Sequence, residues 1–205
     1  MSNSSDITRF ENLLRSTNRE NIESLIEYIR KTDFYSAPAS TRFHSCHAGG
    51  LLEHSLKVYE CLMSKMNNPI WAEKLGDIDK SSLVIASLLH DLCKAEMYIT
   101  EPRNRKVYSE YGKKCDSKGR FDWETYDAYT IDEKFPVGHG EKSVIIAMSF
   151  IKLKKPELYA IRWHMGFSEP KEQWNAMTAA IKSCPLVLAL HGADIEATYL
   201  LEKEE

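Results

Sequence analysis

The sequence predicts an all-α protein, a helical bundle carrying one small β-hairpin insertion. Three observations support this. Through most of the 205 residues, apolar side chains recur three and four positions apart, the period of a helix with one buried face. The stretch 81–94 is apolar on every side until it reaches His90-Asp91, so as a helix it belongs inside the fold rather than on its surface. Helical periodicity is lost in one place, between about Glu96 and Val137. A chain of this length, 43% hydrophobic and 28% charged, is expected to form a single domain over 1–205, with 97–137 as an inserted lid or hairpin segment.

In chain order, Ser5 or Asp6 is placed to cap a first helix with Ile7, Phe10, Leu13 and Leu14 on one side. Asn18 or Asn21 caps a second, on which Ile22, Leu25, Ile26 and Ile29 are spaced at three and four. Residues 32–41, with Pro38 among small side chains, read as an ordered loop. The Gly49-Gly50 turn leads into a helix running to about Met66. Its face carries Leu51, His54, Val58 and Leu62, which sets a histidine inside an apolar stripe. A short connection over 71–79 then reaches the central helix.

From 96 to 137, β-favouring residues bracketed by Pro, Asn and Gly-Lys-Lys turns predict one or two hairpins. The density of aromatics there suggests a lid over a pocket. Helical pattern resumes after Pro136 with Val144, Ile145, Met148, Ile151 and Leu153, and again from Pro156 to about Met165. A polar loop over 167–172 precedes a helix over 174–183. The last helix starts near Pro185, a favoured first-turn residue, and sets Val187, Leu190, Asp194 and Ala197 on one face.

Several of these helices therefore deliver polar groups from apolar faces: His54, then His90-Asp91, then His139 or His164, then Asp194. A buried carboxylate needs a cation or a hydrogen-bond cage. Helical bundles build core metal sites from side chains on facing helices, and imidazole with carboxylate, free of thiolate, is the set that hard to borderline divalent cations select. His54, His90, Asp91 and Asp194 are accordingly the candidate metal ligands, converging on one divalent ion.

Lys and Arg total 27 against 30 Asp and Glu, for a net charge of −3. That balance does not favour a protein lying on nucleic acid through a broad basic face, although a local groove stays open. The five cysteines are scattered without a CxxC pair, which fits reduced residues of a cytoplasmic protein. No apolar run reaches membrane-spanning length, and the first residues lack a signal-peptide core.

The motifs also resemble a known family, the HD-domain metal-dependent phosphohydrolases, from about Phe43 to Ala197. His54, His90-Asp91 and Asp194 follow that family's H…HD…D order. Gly49-Gly50-Leu51-Leu52-Glu53-His54-Ser55 and Leu88-Leu89-His90-Asp91-Leu92-Cys93-Lys94 look like the GGLLEHT and LLHDIGK segments of the branch that includes the HD portion of YhaM-type 3′-5′ exoribonucleases. Gly138-His139-Gly140 looks like its later GH. The resemblance implies an all-α fold, a bound divalent metal (Mn, Fe, Co, Ni, Zn or Mg) and hydrolysis of a phosphate ester in a nucleotide or nucleic acid. Two-metal members commonly carry His-His-Gly where this chain has His164-Met165-Gly166. A thioether is a poor ligand for a hard cation, so a second metal is expected to bind weakly.

The expected activity is metal-dependent cleavage of a phosphate ester in a small nucleotide. Asp91, Lys94, His139 and His164 are the candidate catalytic groups, and Arg42, His44 and Lys94 the candidates to hold phosphate oxygens. The alternatives are a nucleotide-binding or sensory module with a degenerate metal site, or a nuclease whose mark is a continuous basic groove. The sequence leaves the oligomeric state open.

Overall fold

The computed structural model describes residues 4–42 and 45–202. The order begins with α1 (Ser4–Ser16), α2 (Ile22–Lys31), α3 (Gly50–Lys65), α4 (Pro69–Leu75) and α5 (Lys80–Leu89). Strands β1 (Tyr98–Tyr108), β2 (Lys114–Asp116) and β3 (Gly119–Ile131) follow, then α6 (His139–Met148), α7 (Lys155–Trp163), α8 (Trp174–Ser183) and α9 (Pro185–Glu196).

The all-α expectation is wrong. The architecture is mostly helical but mixed, with a three-stranded antiparallel sheet in the order β1-β3-β2. β1 and β3 pair without interruption from Tyr98↔Ile131 to Tyr108↔Phe121, well beyond a small hairpin. Tyr, Thr, Val, Ile and Trp along both strands favour this extended pairing. Pro102 is accommodated because β1 is an edge strand, where a missing backbone donor is tolerated.

The core is formed by α3, α5, α7 and α9, which pack on one another. Leu51, Leu62, Leu83, Ile85, Leu88, Ile161 and Leu190 are fully buried there, and α1 and α2 add Phe10, Leu14, Leu25 and Ile29. The sheet stands apart from this core, with Phe121 its one buried large side chain. Its aromatics pack on cations of their own face, Lys106 lying 4.4 Å from the Phe121 ring and 5.8 Å from that of Trp123.

Two element boundaries differ from expectation. The connection over 71–79 is partly helical, because Asn68 caps the Ile70 amide at 2.9 Å and Pro69 occupies the first turn. The central helix stops at Leu89 rather than continuing to Lys94. Asp91 takes φ −103° and ψ 19°, a 3₁₀ turn covers Leu92–Lys94, and the Cys93 amide is captured by Ser143 Oγ at 3.0 Å. That turn is what redirects Asp91 out of the helix line.

Candidate metal centre

His54, on α3, is fully buried, as are His90 just beyond α5 and His164 just beyond α7. Asp91 is nearly so, and Asp194 projects from α9. His54 Nε2 lies 3.2 Å from His90 Nε2, 3.2 Å from Asp194 Oδ1 and 3.5 Å from Asp91 Oδ2. The four ligands expected from sequence are thus brought together although their positions run from 54 to 194.

Asp91 divides the site through its two oxygens. Oδ2 faces His90 Nε2 at 3.3 Å and accepts from Lys94 Nζ at 2.7 Å. Oδ1 meets His139 Nε2 at 2.8 Å and lies 3.5 Å from His164 Nε2. His139 and His164 therefore share one carboxylate oxygen while His54 and His90 face the other.

The supporting bonds set the ring protons. His90 Nδ1 donates to the Ser87 carbonyl at 2.8 Å and His164 Nδ1 to the Ile161 carbonyl at 2.7 Å. A carbonyl only accepts, so each ring carries a proton on Nδ1 and turns its Nε2 into the centre. His164 Nε2 is buried without a hydrogen-bond partner, an orphaned ring nitrogen of the kind a bound cation satisfies.

The charges agree with this geometry. Burial pushes the His90 imidazole below its ordinary value, which keeps it neutral. For His54 burial acts the same way, but the Asp194 and Glu202 carboxylates outweigh it and raise the ring to about 9. Burial opposes ionisation of Asp91, yet the Lys94 ammonium and the surrounding imidazoles hold it well below the carboxylate range. Asp194 is likewise lowered, His54 outweighing its burial. Without a metal, a proton on His54 supplies the positive charge that two carboxylates and the His90 lone pair demand. Three overlapping groups, His54/His90/Asp194, His90/Asp91/His164 and Asp91/Cys93/His139, each bring their ligand atoms within 4.8 Å of one another and could hold a metal ion.

Two contributors escaped the sequence reading. Glu202 accepts from His54 Nδ1 at 2.9 Å and from Ser45 Oγ at 2.8 Å. A π-helical turn over Ala197–Leu201 carries it there from α9, and nothing distinguished it among the charges of the final residues. Cys93 Sγ lies 3.4 Å from His139 Nδ1, and a lone cysteine offers no spacing signal.

The other candidates divide. Lys94 is present, but its ammonium already donates to Asp91 and to the Ala39 carbonyl at 2.8 Å. Arg42 is exposed and lines a different cleft, beside the sheet. His44 lies outside the described residues. A cavity of about 310 Å³ adjoins the centre, lined by Asp91, Lys94, Asp194, Met165, His191 and Tyr199 among others, and by no described residue of the sheet. Of the sheet's basic residues, Arg105 pairs with Glu124 and Lys106 with Asp116.

Gly140 lets the second half of the site form. A methyl group there would meet the Arg162 carbonyl oxygen at 2.2 Å, so only glycine lets the start of α6, with His139, approach the end of α7, with His164.

Among the described residues, no single helix is long and apolar enough to cross a membrane. Comparison with protein-family models, with curated proteins and with solved structures finds no match to this chain.

Proposed function

We propose that the chain is a metal-dependent phosphohydrolase of the HD type that cleaves a phosphate ester of a small nucleotide. The observation that carries this reading is the meeting of His54 Nε2 and His90 Nε2 at 3.2 Å between Asp91 and Asp194. Two imidazoles aimed at one point, with carboxylates closing the set, suit Mn, Fe, Co, Ni, Zn or Mg. When bound, such an ion polarises a phosphoryl oxygen and lowers the pKa of a bound water towards neutrality.

The protein's own groups then have separate tasks. Ser87 and Glu202 orient the His90 and His54 rings through their Nδ1 atoms. Lys94 holds Asp91 ionised and aligned rather than serving chiefly as a phosphate ligand. His139, 26% exposed and 2.8 Å from Asp91, is placed to exchange a proton beside that carboxylate. His164 and the shared Asp91 oxygen offer a second cation position, for which Met165 supplies no hard ligand. Tyr199, 63% exposed and lining the cavity, offers a ring on which a base can stack. The ion-paired state of Arg105 and Lys106 supports a small substrate over a long polymer.

The test is metal analysis of the purified protein, followed by a nucleotide screen for released phosphate. Stoichiometric metal with phosphate release that is lost in Asp91→Asn supports the reading. Stoichiometric metal without turnover of any nucleotide or oligonucleotide points instead to a sensory module.

A further inference from the structure

The sheet's base forms a second cleft, of about 370 Å³, lined by Thr41, Arg42, Arg103, Tyr129, Thr130 and Ile131. Its two arginines stand out in the chain's charge pattern. Arg120 donates to the Gly112 carbonyl at 3.2 Å, and Arg9, Arg15, Arg19, Arg30, Arg105 and Arg162 are each paired with a glutamate. Arg42 and Arg103 have neither an ion pair nor a hydrogen bond among the described residues, and both line this one cleft.

We propose that this cleft is a binding site for a phosphate monoester dianion, separate from the metal centre. Two arginines lining one cavity, with no carboxylate among its described lining residues, leave positive charge there for an anion to offset. Guanidinium is the side chain best shaped for phosphate, through paired N–H donors. Two such groups match the double charge of a monoester better than the single charge of a carboxylate. Thr130, on the same face of the sheet as Arg103, and Thr41 are neutral hydroxyl-bearing residues of the same lining. Two positions before Thr41, the Ala39 carbonyl accepts from Lys94 Nζ at 2.8 Å and Tyr98 Oη at 3.3 Å. The cleft wall is therefore tied directly to the segment that steadies Asp91.

Phosphate binding here is independent of the metal chemistry proposed above, so the two fail separately. The probe is inorganic phosphate, titrated into chelator-treated full-length protein by calorimetry. Saturable binding is expected, weakened at least roughly tenfold in Arg42→Gln and in Arg103→Gln but unchanged in Arg105→Gln, whose guanidinium is already paired. Absence of saturable binding, or binding indifferent to both cleft substitutions, overturns the proposal. Two sources share this chemistry, and kinetics on metal-loaded protein separates them. If the cleft takes a second phosphate of the substrate, Arg103→Gln raises KM for a nucleoside 3′,5′-bisphosphate but not for the 5′-monophosphate. If it takes a separate phosphate ligand, both KM values stay put while phosphate binding is still lost.

Discussion

Glu202 grips His54 Nδ1 at 2.9 Å, and Asp194, eight positions earlier on the same helical arm, meets the opposite nitrogen of that ring at 3.2 Å. One continuous stretch of chain thus closes on both sides of a single imidazole. Partners of this kind fix ring orientation and basicity, and their loss typically weakens metal binding about 10–100-fold. Glu202→Gln is therefore expected to lower metal affinity by that order while saturating at the same stoichiometry. Competition against a chelator measures it, and an unchanged affinity would remove Glu202 from the site.

The charge on His54 makes metal-free stability depend on pH. Its pKa rises from 6.5 to about 9 on folding, the Asp194 and Glu202 carboxylates overcoming burial. A raised folded pKa contributes stability that is complete below the unfolded value and is lost as pH climbs through the folded one. The chelated protein should lose melting temperature between about pH 7 and 9.5, and His54→Gln should flatten that window. A wild-type curve already flat across it would contradict the assignment of the charge to His54.

Gly140→Ala should separate the two halves of the centre. Its methyl cannot coexist with the Arg162 carbonyl at 2.2 Å, so α6 must shift and carry His139 with it. Activity is expected to fall about 10–100-fold by the same loss of ligand orientation, with the His54/His90/Asp194 group still binding metal. Phosphate release and metal content, measured together, show whether both properties fall or only the first.

Away from the site, Glu157 is wholly buried, ion-paired with Arg19 and accepting from Ser82 Oγ at 2.6 Å and the Lys154 amide at 2.7 Å. Removing one member of such a pair strands the other's charge, at about 3–5 kcal/mol. Denaturant unfolding of Glu157→Ala should show a loss of that size, and a loss below about 1 kcal/mol would mean that water reaches the arginine.

The sheet should be removable. Tyr98 and Ile131 are direct partners at its base, so a short Gly-Ser linker in place of 99–130 spans almost no distance. Circular dichroism and metal content are expected to stay those of a folded, loaded helical core, while phosphate binding in the Arg42 cleft disappears with Arg103. Loss of cooperative unfolding would instead make the sheet a buttress.

Much of this was legible in one dimension because burial leaves a periodic trace. His54 falls in phase with Leu51, Val58 and Leu62, and Asp194 with Val187 and Leu190, so placing them inside a helical core required only the helical repeat. The apolar run ahead of His90-Asp91 did the same for the centre of the site. The all-α expectation failed where local pattern is ambiguous: broken periodicity over 97–137 signalled strands, but not that β1 and β3 would pair over their full lengths with β2 on the far edge.

Local pattern by itself determined which faces are buried and which polar groups lie on them, since both follow from side-chain spacing along a helix or strand. Only the tertiary structure decided which atoms meet. The two oxygens of Asp91 serve different histidines because a 3₁₀ turn ends α5 early, and Glu202 reaches His54 because a π turn extends α9. Arg42 and Arg103, 61 positions apart in sequence, share a cleft because the sheet folds back beside the loop that ends α2's connection. Such contacts join segments distant in sequence, and their geometry depends on how every intervening element packs, which no local periodicity encodes.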